Sequence, residues 1–307
     1  MLRKTVCIAC LVAWLWSDAQ AQNRHYGMNA HDVGAPIADK MAELGAGLIR
    51  VVFGWDVLEP NCKGCYNWSF TDTWRREARR ANVAIVGTLS YTPGWANGGQ
   101  PYSYPPHNIQ DWYDFVFAAA DRYKDDIFIW GIWNEPNLDS YLHGGDLATY
   151  ETIARTARDA IRKANPSALI LGPEVSPHAV TNGWYAAAMK RMGDVFDIVT
   201  VHWYRDFPAI EQFMDEGVRP HSQFKSVWLT ETGLKPCDST FGETGQAVFY
   251  QSVLRAFEPR RNWWTAVLFY NLYDPPSPLD CGSGIVRPDW SLRPAFLAYK
   301  AFIKANP

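Results

Sequence analysis

The sequence predicts an α/β protein folded as one (β/α)8 (TIM) barrel, on three observations. Short apolar runs rich in β-branched and aromatic residues recur eight times along the chain. Segments with helical spacing of apolar residues separate them, and no linker, low-complexity stretch or heptad run interrupts the series. Strands buried on both faces read as continuous rather than alternating apolar runs, and repeated strand–helix alternation is the pattern of a parallel sheet. The remaining length suits one closed barrel. An open doubly wound sheet is the alternative, but the first run is not followed by a glycine-rich phosphate turn.

The expected strands are, in order, Arg24–His31, Leu48–Trp55, Val83–Ser90, Ile127–Glu135, Ala168–Val175, Phe196–Tyr204, Ser226–Gly233 and Ala266–Asp274. The expected helices include Ala35–Gly45, whose terminal glycine is a stop signal, then Ile109–Lys124, Ala148–Asn165, Gly245–Glu258 and Arg293–Ala305.

Ahead of the barrel, Arg3 and Lys4 precede an apolar stretch, Val6–Trp16, and the small residues Ala19–Ala21 follow. That order reads as a secretory signal over residues 1–21, with the catalytic domain at 22–307. A membrane anchor is disfavoured because a spanning helix needs about 20 apolar residues. A lipoprotein anchor on Cys10 lacks the preceding leucine. The protein is expected to be secreted or periplasmic and monomeric, with no membrane insertion of the mature chain. A net charge of −3 shows no basic excess, which argues against nucleic acid as a partner.

Four cysteines remain beyond the leader: Cys62, Cys65, Cys237 and Cys281. An even count in an exported chain suggests two disulfides. Three pairings are possible; Cys62–Cys65 with Cys237–Cys281 is favoured. The Cys62-Lys-Gly-Cys65 spacing also suits a redox pair or half a metal site, but no second CxxC completes a zinc site. No metal and no cofactor is expected.

In a (β/α)8 barrel the chemistry sits at the C-terminal ends of the strands. Glu135, in "GIWNEPN", ends the fourth expected strand; Glu231, in "WLTETG", ends the seventh. These strands face each other across the mouth, so the two carboxylates can converge on one bond, as glycoside hydrolysis requires.

The motifs "WNEPN" and "TETG" on these two strands resemble those of the retaining glycoside hydrolases of clan A. "IRVVFGWDVLEP", "YTPGWA" and "VHWY" fit the same pattern. The similarity is closest to glycoside hydrolase family 39 and related bacterial exopolysaccharide hydrolases. It implies Glu135 as acid/base and Glu231 as nucleophile, with double displacement on a polysaccharide or oligosaccharide; compact size with long aromatic loops suggests an open cleft and endo action. It further implies that Asn134 bonds the sugar 2-hydroxyl and that Arg50 lies beneath Glu231 and favours its charged form. His202 and Tyr204 are two apart on one strand and share a face, where either would orient a carboxylate. His31, Trp55, Tyr91 and Trp95 end strands or begin loops and are expected to line sugar subsites. Glu174, ending the fifth strand, is ranked as a subsite or structural residue. On the eighth strand many clan members carry a tryptophan platform; here Phe269, Tyr270 or Tyr273 must serve. A transglycosylase would use the same residues, and a carbohydrate-binding barrel without catalysis is the rival of another class.

Overall fold

The computed structural model describes residues 23–238, 240, 242–275 and 282–307. The leader over residues 1–21 lies outside them, as does Cys281 of the expected Cys237–Cys281 bridge. Cys62 and Cys65 are joined by a disulfide, their Cα atoms 5.3 Å apart.

Eight parallel strands form a closed barrel in sequence order. They are β1 (Asn23–Asn29), β2 (Ala46–Gly54), β3 (Ala84–Ser90), β4 (Ile129–Ile132), β5 (Leu169–Val175), β6 (Ile198–His202), β7 (Val227–Thr232) and β8 (Trp264–Phe269). Each run is where the sequence places it. β4 and β8 end earlier than expected, at Ile132 and Phe269, so Glu135, Tyr270 and Tyr273 stand in the loops beyond them. The longer helices are α1 (Ala35–Leu44), α2 (Ser69–Arg80), α3 (Ile109–Arg122), α4 (Leu147–Ala164), α5 (Trp184–Met192), α6 (Gly242–Phe257) and α7 (Pro294–Ala305). The β6–β7 crossover instead uses a short α-turn running into a π-helix, Phe213–Val218.

Local chemistry sets the helix ends. Asp146 caps α4 by accepting from the backbone N–H groups of Ala148 and Thr149. Gly45 closes α1 in the left-handed region at φ 82°, its N–H reaching the carbonyls of Met41 and Ala42.

Alternation along the strands sorts the apolar residues into two layers. Leu48, Val86, Ile129, Leu171, Ile198, Trp228, Ala266 and Leu268 fill the barrel interior toward its N-terminal end. Ile49, Val51, Phe53, Val199, Val201 and Leu229 pack outward under the helices. Leu48 faces inward, so Arg50 does too, one layer nearer the mouth.

Two strands break the alternation where the mouth needs it. Trp228 faces the interior and Leu229 the helices, so regular pleating would turn Glu231 outward. The β6–β7 register shifts between Val201 and His202, pairing His202 with Glu231, and the β7–β8 register shifts between Leu229 and Thr232. Such irregularities re-aim a side chain. A similar shift on β5, between Gly172 and Val175, accompanies the inward turn of Glu174.

Candidate active site

Arg50 is the hub of the mouth. It rises from the middle of β2, is 3% exposed, and spends its donors on four neighbours. Nη1 donates to Asn29 Oδ1 at 2.8 Å and Glu231 Oε2 at 3.3 Å. Nη2 donates to Asn134 Oδ1 at 2.7 Å and Glu174 Oε2 at 3.0 Å. Nε reaches Glu174 Oε1 at 3.3 Å. Burial works against the guanidinium charge, but the carboxylates of Glu174 and Glu231 outweigh it and raise its pKa above the ordinary value. Arg50 is therefore a permanent cation.

Glu231 takes a second bond from the hydroxyl of Tyr204. Burial, then the charge of Glu231, pushes the Tyr204 phenol well above the usual tyrosine range, so it stays a donor. Glu135 faces His202, whose Nδ1 lies 2.9 Å from Glu135 Oε1 and 3.8 Å from Glu231 Oε2. Two carboxylate oxygens around Nδ1 favour the tautomer with the proton there. One oxygen each from Glu135 and Glu231 and a ring nitrogen of His202 all lie within 4.8 Å of one another. Among the described residues this is the group of three that could hold a metal ion. The Arg50 cation at 3.3 Å from Glu231 makes it better suited to proton transfer than to ligating a further cation.

Backbone bonds fix the two carboxylate-bearing loops. The N–H of Glu135 donates to the Glu174 carbonyl at 2.9 Å, and the N–H of Asn134 to Ser90 Oγ at 3.0 Å. Tyr91, Trp133, Glu135 and Glu174 have φ of 70°, 61°, 45° and 46°. Side-chain-bearing residues enter that region at a cost of about 1–3 kcal/mol each, and such strain gathers at functional sites.

The structure thus gathers Arg50, Asn134, Glu135, His202, Tyr204 and Glu231 into one network. The aromatic candidates divide. Trp55 is fully buried and lines no subsite: it begins a short helix after β2 that turns its indole into the helix layer, stacked on Phe115 and bonded through Nε1 to Glu59 at 2.5 Å. Trp95 is half-buried, its Nε1 donating to the Glu59 carbonyl at 2.7 Å and its ring edge-on to Trp55. Tyr91 is half-buried and meets Tyr102 edge-on at 4.8 Å. His31 is exposed, its Nε2 3.0 Å from the Tyr270 hydroxyl. Of the β8 candidates, Phe269 is buried core stacked on Tyr250, and Tyr273 is stacked on Trp290. Tyr270 is the one near the pair: burial, then Glu231, raises its pKa to about 12. Glu174 is no subsite, being 0% exposed and forked onto Arg50.

Two participants escaped the sequence reading. Asn29, the last residue of β1, accepts from Arg50 while its amide donates to the carbonyls of Thr230 and Phe269. Its signal was a polar residue at an inward strand position. Tyr141 feels the charges of both Glu135 and Glu231, yet lies in a loop whose path the sequence does not reveal.

A family model described as glycosyl hydrolase catalytic core matches residues 61–272. A search of curated proteins finds no match. Among solved structures, a family 39 glycoside hydrolase from Bacteroides cellulosilyticus aligns with TM-score 0.74 at 17% identity, over 94% of this chain and 65% of that one. A family 39 beta-xylosidase from Caulobacter crescentus aligns with TM-score 0.73 at 21% identity, over 91% and 71%. Xylanase 10B from Thermotoga petrophila, solved with xylobiose, aligns with TM-score 0.69 at 15% identity, over 94% and 98%. The chain spans about two thirds of the length of the two family 39 proteins, 65% and 71%.

Proposed function

Since the chain belongs to the glycosyl hydrolase catalytic core family, we propose that it is a retaining O-glycoside hydrolase with Glu135 as acid/base and Glu231 as nucleophile. The observation that carries this reading is the close approach of the two carboxylates, one oxygen of each lying within 4.8 Å of the other. Carboxyl groups about 5–5.5 Å apart suit double displacement, whereas about 6.5–9.5 Å is needed to seat the water of an inverting reaction.

In the first step Glu231 attacks the anomeric carbon as Glu135 protonates the departing glycosidic oxygen, and the C–O bond breaks. The product is a glycosyl ester on Glu231. Glu135, now a carboxylate, takes a proton from water, whose oxygen displaces Glu231 with a second inversion. Arg50 and Tyr204 donate to Glu231 and aim it. His202 orients Glu135. Asn134 accepts from Arg50 through Oδ1, which leaves its amide N–H groups for the 2-hydroxyl. The substrate class is a polysaccharide or oligosaccharide, cut endo-fashion. The leader-like N-terminus supports action outside the cytoplasm; N-terminal sequencing of exported protein should begin at Gln22.

The test is hydrolysis of a polysaccharide panel with the anomeric configuration followed by NMR. Retained configuration, abolished in Glu231→Ala, is the expected result, together with rescue of Glu135→Ala by azide on an aryl glycoside with a good leaving group. Inverted product, or full activity in Glu231→Ala, would sink the proposal.

A further inference from the structure

Glu174 is a third carboxylate at the mouth that the double displacement does not use. It is 0% exposed, so it touches no sugar. The barrel is built around it nonetheless. Its carboxylate takes two donors of Arg50, at 3.3 and 3.0 Å. Its backbone N–H donates to Thr200 Oγ1 at 2.9 Å, and its carbonyl receives the N–H of Glu135. Its φ of 46° is left-handed. β4 is notched to admit it: a Cβ on Gly131 would stand 2.6 Å from Glu174 Oε1. A side chain at 131 would crowd the carboxylate, so the glycine leaves it room beside Arg50.

Arg50 therefore stands between two carboxylates, and the division is unequal. Glu174 receives two bonds in full burial, while Glu231 receives one at 3.3 Å with its side chain 14% exposed. A retaining nucleophile must be ionised enough to attack yet labile enough to leave in the second step. A guanidinium committed wholly to Glu231 would favour its charged form more strongly.

We propose that Glu174 is a positioning residue that draws Arg50 away from Glu231, tuning the nucleophile through the shared guanidinium while its backbone holds the Glu135 loop. This rests on the double-displacement reading above. Charged and titratable groups face Glu231 from every side: Arg50 on β2, Glu135 beyond β4, His202 on and Tyr204 just beyond β6, with Tyr141 and Tyr270 in the loops after β4 and β8. Glu174 reaches it only through Arg50, so neutralising Glu174 changes one contact and leaves the others in place.

The experiment compares wild type with Glu174→Gln, which keeps the side chain's size and removes its charge. With a panel polysaccharide that wild type hydrolyses as substrate, the acidic limb of kcat/KM should move to lower pH by about one unit, and kcat should fall more than KM rises. Carboxyl NMR of glutamate-labelled protein should show the Glu231 resonance titrating at correspondingly lower pH, a readout that needs no turnover. Glu174→Asp, its charge kept but withdrawn by one methylene, gives a smaller shift in the same direction and serves if Glu174→Gln does not fold. A merely structural Glu174 would lower the melting temperature with the limb and the resonance unmoved, and that result overturns the inference. Its failure is separable from that of the function itself, which falls if the product is inverted or Glu231→Ala stays active.

Discussion

The two ends of the barrel are built from the same eight strands and could hardly differ more in chemistry. The C-terminal mouth holds one buried cation shared by two carboxylates, with each partner bonded to another strand or loop. The N-terminal end holds an apolar layer beneath a cavity of about 570 Å³, bordered by Leu48, Ile129, Ile198 and Trp228. Charges rim that cavity too, and Arg75 and Arg79 pair there with Asp126. Exposed pairs of this kind contribute about 0–1 kcal/mol. That cavity lies at the end of the barrel away from the proposed chemistry. Convergence of desolvated polar groups, and the backbone strain that accompanies it, marks the working end.

Substitutions at each end sharpen the contrast. Glu231→Ala should reduce kcat by on the order of 10⁴-fold or more while leaving the melting temperature nearly unchanged, because on the proposed mechanism it removes the nucleophile without opening the core. Equal activity with wild type on the same substrate would erase the distinction between the ends. Ile198→Ala should do the reverse, costing about 2 kcal/mol in urea unfolding with kcat per folded molecule intact. A large kcat loss there would mean that the apolar layer is mechanically coupled to the mouth.

Tyr204→Phe comes next. Loss of a bond to a charged acceptor costs about 1.5–3 kcal/mol, so kcat/KM should fall about tenfold to a hundredfold. A change below twofold would show that Tyr204 only fills space.

The last comparison is of stability at high pH. Burial, as the first cause, raises Tyr150, Tyr204, Tyr250 and Tyr299 well above their ordinary 10.0. The unfolded chain would release these protons near that ordinary value while the folded chain keeps them. Above it the unfolded state binds fewer protons, so stability falls as pH rises, and below it these groups add no slope. Thermal melts across the alkaline range should show this decline, shallower in Tyr204→Phe. A flat profile would contradict the burial assigned to these phenols.

The sequence by itself determined the barrel, because burial on both faces leaves a continuous apolar run that needs no tertiary context to recognise. It also determined which glutamates stand at strand ends four and seven, since strand order fixes which ends face each other. Even Arg50 was legible, as a charge in the middle of an apolar run has few uses besides pairing. Tertiary structure decided the rest. Trp55 and Tyr270 are both aromatic residues just past a strand, and only the path of the following chain sends one into the core and the other to the mouth. Glu174 and Glu231 face inward because register shifts break the pleat, and a shift depends on hydrogen bonds to the neighbouring strand rather than on local residue preference. The sharing of one guanidinium between them follows from those two shifts together, which no single segment of the chain encodes.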